Sequence, residues 1–247
     1  MQSTTPDTIV RFIADDFGRS EAINHAILKA HVDGALHGAC LMMGQPGTQQ
    51  AVAMARASPS LAIGWHVHLC DSQPVVTDSW SWGSSPFRAG LAMAVSPGAR
   101  KLAAREIGAQ WRLFKDTGLM AETVNAHHHL HWHPFVRRQL IELLTDDAEF
   151  DGWMRWGTPR FFSGDSAPLG YRLIDSLLQA PVRSRLGLRC SDTLWGIDRT
   201  FRMNAEEIRD VIGRLPGGLH EFMFHPRPGI DDPDTRCLIS LSHEARA

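Results

Sequence analysis

Short apolar, β-branched runs alternate along this chain with longer stretches of helical spacing. The run "TIVRFIA" at 8–14 stops at two aspartates and a glycine, as a buried parallel strand does. A helix is predicted next, from an N-cap at Ser20 to a stop at Gly34, with Ile23, Ala26, Ile27 and Ala30 on one face. The unit repeats with a strand over 35–43 and a helix "TQQAVAMARAS" before Pro59, its Val52 and Ala55 facing inward. A third strand covers 61–69, and "ARKLAAREIGAQWRLFKDTG" sets Leu102, Ile107, Trp111 and Phe114 on one stripe before Gly118 ends it. "ETVNAHHH" reads as a strand, and "PFVRRQLIELL" as a helix with Pro134 in its first turn. Beyond these, "GWMRWG" predicts a strand and "YRLIDSLLQAPVRSRLG" a helical region broken near Pro181. "NAEEIRDVIGRLPGG" is a helix capped by Asn204, and "HEFMFHP" at 220–226 is the last strand.

Strand and helix alternate throughout, which argues for an α/β fold on a parallel sheet. About seven such units in 247 residues fit a (β/α) barrel, complete or incomplete, in one domain spanning 1–247. The stretch 71–98, rich in Ser, Trp, Gly and Pro, is longer than a compact domain ordinarily spends on a connection and is expected to act as a substrate lid.

Composition changes this picture little. Hydrophobic residues make up 43% and charged ones 21%, with a formal net charge of -2, so the chain can bury a core and lacks the basic footprint of a nucleic-acid binder. Cys40, Cys70, Cys190 and Cys237 have no metal-site or redox spacing. Without a membrane-span run or a leader pattern, a cytoplasmic location is expected. A homodimer is compatible with all of this.

The chemistry gathers where such folds carry it, at the C-terminal ends of the strands. Asp15 and Asp16 end the first strand, His66 and His68 the third, His127 and His129 the fourth, and His225 the last. Alternation along a strand lets His66 and His68 share a face, and likewise His127 and His129, with His128 pointing away. Taken singly, each group has an ordinary reading. Adjacent aspartates after a strand are commonly a turn or a helix cap, and "HVH" in a strand is as often core histidine as ligand. "HHHLHWH", however, places five histidines in seven positions, internally rather than at a terminus where a tag would lie. With Asp16 and His66 reaching the same rim, a divalent metal site outweighs adventitious surface binding. An Asp, His, His set suits zinc and other borderline ions and leaves a position for water, which points to a hydrolase.

"FIADDFGRSEAINHAILKAHVDGALHGACLMM", "GWHVHL", "VNAHHHLHWHP" and "EFMFHPR", in this order and spacing, resemble the YdjC-like carbohydrate deacetylases, a family that includes chitooligosaccharide and hopanoid-biosynthesis-associated deacetylases. The resemblance implies a distorted, TIM-like barrel that removes acetyl groups from N-acetylated sugars or glycoconjugates with one divalent metal, zinc favoured and magnesium the alternative. It implies that Asp16, His66 and His127 hold that metal, that Asp15 is the general base and that His225 protonates the leaving amine as an imidazolium. His129 is implied as a substrate or metal-side contact, and Arg155 matches a recurrent arginine after the fifth strand.

The sequence departs from the family pattern at Asn125, where an Asp is usual and could orient a ligand histidine, at His68 in place of a small polar residue, and at the additional His133. Trp65, Trp80, Trp82, Trp132, Trp153, Trp156 and Trp195 lie near the expected mouth, where one or two could stack on sugar. Two rival readings are a metal phosphoesterase and a non-catalytic glycan-binding protein of the same fold.

Overall fold

In the computed structural model, which describes residues 7–162, 187–229 and 231–245, the strands form one all-parallel curled sheet. In chain order they are β1 (Thr8–Phe17), β2 (Gly38–Leu41), β3 (Ala62–Val67), β4 (Thr123–Ala126), β5 (Trp153–Met154), β6 (Thr158–Arg160), β7 (Arg189–Cys190), β8 (Thr193–Trp195) and β9 (Gly218–Phe224). Their order across the sheet is β6-β8-β9-β1-β2-β3-β4-β5-β7. The helices are α1 (Glu21–Val32), α2 (Thr48–Ala57), α3 (Pro86–Val95), α4 (Pro97–Asp116), α5 (Pro134–Asp146), α6 (Ala205–Ile212) and α7 (Pro233–Ala245).

This is the expected distorted TIM-like architecture, with nine strands instead of about seven. The difference has a local cause. The chain breaks its ladder at Arg155–Gly157 and again at Ser191–Asp192, so β5 and β6 are halves of one stave, and β7 and β8 halves of the next. Main-chain bonds from Ser191 N to Met154 O (3.2 Å) and from Thr158 N to Asp192 O (2.9 Å) carry the pairing across both breaks. Counted as staves, the strands number seven, and the two ends of the sheet order are joined through the chain itself.

The local signals act as their chemistry requires. Ser20 Oγ accepts from Ile23 N, and Asn204 Oδ1 accepts from the backbone N–H groups of Glu206 and Glu207. α1 buries Ala26, Ile27 and Ala30 against the sheet, and α4 buries Ile107, Trp111 and Phe114. The predicted helical region at 171–187 falls almost wholly outside the described residues.

Two elements depart from the sequence reading. The stretch 71–98 is not all loop: it contains α3 and the first residues of α4. Each of these helices opens on a Ser-Pro pair, Ser85-Pro86 and Ser96-Pro97, whose hydroxyl caps the helix and whose proline fits the first turn. Helix α7 had no counterpart in the reading. It packs beside α1, with Leu238 fully buried and its carbonyl accepting from Ala35 N.

The segment between β3 and α3 is tied down. Glu106 of α4 accepts from Val75 N and Val76 N at 2.7 and 2.9 Å, and the buried Trp80 and Trp82 donate to Ser72 O and Leu69 O. His68 belongs to this network. It lies just past β3, fully buried, with Nε2–H donating to Met43 O at 2.8 Å and Nδ1 beside Ser72 Oγ.

Burial pulls the His68 pKa down to about 3 against the partial compensation of the Met43 carbonyl. The unfolded ring protonates near pH 6.5, so between these values the unfolded state binds the extra proton and stability falls as pH falls. In metal-free protein, urea unfolding between about pH 7 and about pH 5 is expected to lose roughly 1 kcal/mol per pH unit through this ring once it passes below 6.5. His68→Gln, neutral throughout, should flatten the profile by that amount; an unchanged slope contradicts the assignment.

Candidate metal centre and its cleft

Neighbouring residues of a strand face opposite ways, yet Asp15 and Asp16 both line one cavity of about 490 Å³. The reason is a bulge. β1 pairs Ala14 with Ala39 of β2 but Phe17 with Leu41, one residue more on its own side, and Asp16 takes a left-handed φ of 66°. Gly18 follows at φ 91°, and a Cβ there would lie 2.7 Å from Met42 O, so the turn out of β1 admits only glycine.

Asp16 meets two histidines. Its Oδ1 lies 3.1 Å from His127 Nδ1 and 3.5 Å from His66 Nε2, and these two nitrogens are 3.4 Å apart. The Oδ1 atom is buried and has no hydrogen bond of good geometry among the described residues. Burial alone would raise the Asp16 pKa, but the His127 and His66 contacts hold it well below the usual carboxylate range. His66, which burial would keep neutral, is pushed up by the Asp15 and Asp16 charges. An orphaned carboxylate oxygen, two ring nitrogens within one ion's reach and a field that favours positive charge all fit a divalent cation. The expected ligands Asp16, His66 and His127 are therefore brought together.

Asp15 is set up differently. It is 3% exposed, and Arg155, itself fully buried just past β5, forks onto both of its oxygens. Asn125 Nδ2 also donates to Oδ1 at 2.8 Å, which leaves Oδ2 with the spare lone pair. Burial raises the Asp15 pKa, but the Arg155 guanidinium, with smaller help from His66, overcomes it and keeps the carboxyl ionised. Arg155 Nε donates to Glu221 at 2.6 Å, and burial pushes this second carboxyl up to about 7. Asn125 Oδ1 accepts from His66 Nδ1, so the ring presents Nε2 toward Asp16 and His127. The orientation that the missing Asp at 125 put in question is thus supplied by a neutral acceptor.

The histidine run divides its work. β4 ends at Ala126, and His128 and His129 adopt φ of 53° and 55°, so strand alternation does not apply to them. His128, expected to point away, instead lines the cavity with His127 and His129. His129 stacks on Trp132, with ring centroids 4.8 Å apart, and burial holds its pKa at about 3. His131 is buried and accepts from Ala126 N, while His133 caps α5 by accepting from Phe135 N. His225 lies just past β9 with Nε2 3.9 Å from Asp15 Oδ2, and burial lowers its pKa. It therefore rests as imidazole rather than imidazolium at neutral pH.

The sequence profile described as YdjC-like protein matches residues 10–246. The chain belongs to the YdjC-like family. This YdjC-like chain is 35% identical over 132 residues to a carbohydrate deacetylase of Brevibacillus brevis, a match covering 53% of each chain. It is 34% identical over 139 residues to one of Vibrio cholerae, covering 54% of each. The matched segment thus spans about half the length of these curated relatives. A crystal structure from Enterococcus faecalis V583 superposes with a TM-score of 0.67 at 17% identity, covering 97% of this chain and 94% of that one. An uncharacterized protein from Agrobacterium tumefaciens C58 gives 0.51 at 12% identity, with 100% and 87% covered. These two likenesses concern the fold.

Several cleft residues of the YdjC-like chain escaped the sequence reading. Arg19, Asp71, Phe201 and Arg227 line the cavity, and Glu221 lies behind Arg155. A signal for three of the five existed only in part: Arg19 follows "DDFG", Asp71 follows "HVHLC", and Arg227 follows "HP". None of the tryptophans lines the cavity; Trp65, Trp80, Trp82, Trp153 and Trp156 are core, and Phe201 is the aromatic at the mouth. Among the described residues, no helix is long and apolar enough to cross a membrane.

Arg155→Met should leave the Asp15 and Glu221 carboxyls buried without their shared cation. A loss of about 3–5 kcal/mol in urea unfolding is expected; stability within about 1 kcal/mol of wild type contradicts the pairing.

Proposed function

We propose that this chain is a metal-dependent hydrolase that removes the N-acetyl group of an amino sugar or glycoconjugate. The observation that carries the reading is the pairing of two unlike aspartates. Asp16 faces His66 and His127 with an unsatisfied oxygen, and Asp15 beside it stays ionised and free of that cluster. A structural metal site has no need of the second carboxylate or of His225 across from it. The naming of the curated relatives as carbohydrate deacetylases supports the acetylated-sugar class.

A divalent cation held by Asp16, His66 and His127, zinc in this reading and magnesium the alternative, would supply Lewis acidity for the acetyl carbonyl and an acidified water. Asp15 Oδ2, the oxygen with a lone pair to spare, takes the proton of the attacking water. The Arg155 fork opposes neutralisation of Asp15, so the proton does not stay there. His225 Nε2, 3.9 Å away and neutral at rest, receives it and passes it to the departing amine as the C–N bond breaks and acetate leaves. The imidazolium expected at His225 is thus formed during turnover. His129 and His225 line the cavity, so both rings are within reach of a substrate held there.

Acetate release should be assayed across N-acetylated sugars, with metal-stripped protein as control. Asp15→Asn is expected to keep its metal by elemental analysis while turnover falls about 100-fold or more; wild-type turnover in that variant removes Asp15 from the role. His127→Ala should lose the metal, and unchanged metal content contradicts its place as a ligand. Phosphate release from monoesters without acetate release would favour the phosphoesterase reading, and sugar binding without either product a binding protein.

A further inference from the structure

We propose that Asp71 is a positioning residue for the metal centre, accepting the Nε2–H of His127 so that this ring presents its Nδ1 lone pair toward Asp16 and His66. The inference rests on the metal site assigned above.

A neutral imidazole carries one N–H, and when one ring nitrogen binds a cation the other must donate its proton to something. For His66 the acceptor is Asn125 Oδ1, on the Nδ1 side. His127 is mounted the other way round, with Nδ1 toward Asp16 and His66 and Nε2 facing out. Two groups stand near that Nε2: Arg19 Nη1 at 2.9 Å and Asp71 Oδ2 at 3.5 Å. A guanidinium has no lone pair to offer, so Asp71 alone of the two can take the proton.

In the arrangement described, Arg19 donates to Nε2, which puts the ring proton on Nδ1, facing Asp16. Cation binding at Nδ1 requires the other tautomer, with no change in ring charge, and exchanges Arg19 for Asp71 as the Nε2 partner. The carboxylate is held ready for this. Arg19 Nη2 grips Asp71 Oδ2 at 3.0 Å, and His128 Nε2 approaches the same oxygen at 3.4 Å.

The backbone gives independent support. The non-glycine residues with left-handed φ among those described are Asp16, Asp71, His128, His129 and Phe201, and all of them line the cavity. Asp71 holds φ 50° at the exit of the β3 segment, a conformation that costs energy and collects at functional sites. Asp71, His127 and His128 could by reach hold a second ion. The Arg19 guanidinium, within 3.0 Å of two of the three, occupies that space with a positive charge instead.

The test uses the full chain and zinc alone, with affinity measured by competition against a chromophoric chelator. Wild type is expected to bind one zinc per chain, Asp71→Ala to bind it about 10- to 100-fold more weakly, and Asp71→Asn, which keeps a neutral acceptor, to fall between them. Asp71→Asn also serves if the alanine variant proves unfolded by circular dichroism. In zinc-loaded wild type, long-range 1H–15N correlation of the His127 ring should show the proton on Nε2. Zinc affinity of the folded Asp71→Ala within about threefold of a wild type that does bind one zinc overturns the role of Asp71 and leaves the metal site standing. Two zinc ions per chain, one of them lost in His128→Ala, overturns it in favour of a second ion. A wild type that takes up no zinc overturns the site and this inference together.

Discussion

The buried ion pair of Asp15 and Arg155 is the constraint around which the rest of the cleft is built. An ionised carboxylate with 3% exposure is tenable only if its charge and lone pairs are met inside the protein. Meeting them draws on separate staves: Asp15 comes from β1, Asn125 from β4, Arg155 from the break after β5, and Glu221 from β9. The barrel interior at this end is therefore a polar cross-tie rather than a layer of aliphatic side chains. The break in the fifth stave belongs to this arrangement, since Arg155 sits where the ladder pauses and its side chain turns inward to the carboxylates. The cross-tie also fixes the charge balance. One guanidinium is shared by Asp15 and Glu221, so Asp16 is left to the histidines.

Strain is concentrated at the same end. An ordinary strand would send Asp15 and Asp16 to opposite faces, and an ordinary continuation of β4 would do the same with His127 and His128. The bulge in β1 and the left-handed turn at His128 and His129 cancel both alternations and collect the side chains on one side. Such backbone persists because the surroundings over-determine it: Gly18 relieves the turn after Asp16, and the Trp132 stack holds His129. The fold's stability and its chemistry are thus coupled through a few residues of local conformation.

This explains which parts were legible beforehand. The β/α alternation, the caps at Ser20 and Asn204, and the meeting of Asp16, His66 and His127 rest on period, capping chemistry or a long motif. The staves broken at 155–157 and 191–192 were not legible, because fragments of two or three residues carry no period. Strand alternation misplaced His128 and paired His68 with His66, because both outer residues lie beyond the ends of their strands. Arg19, Asp71 and Glu221 are single charges in unremarkable surroundings, and only the closing of the barrel gives them partners. Of the tryptophans near the strand ends, Trp65, Trp80, Trp82, Trp153 and Trp156 went to the core, because a large indole there is as useful to packing as to a sugar.

Asn125 shows how a departure from family pattern can be read physically. An aspartate at this position would orient His66 with a full charge, but its other oxygen would stand where Asn125 Nδ2 now donates to Asp15 Oδ1 at 2.8 Å. Two carboxylates at that distance cannot both remain ionised without further compensation, and Arg155 is already committed to Asp15 and Glu221. The amide resolves the conflict by being two-faced, an acceptor for the His66 Nδ1–H and a donor to Asp15. Its consequence falls on Asp15 more than on His66: the ring keeps its orientation, while Asp15 gains a hydrogen bond that favours its ionised form. With Asn at 125, Asp15 is thus biased toward its charged form from two sides, by the Arg155 fork and by the amide, while His225 Nε2 stands 3.9 Å from the oxygen that the amide leaves open.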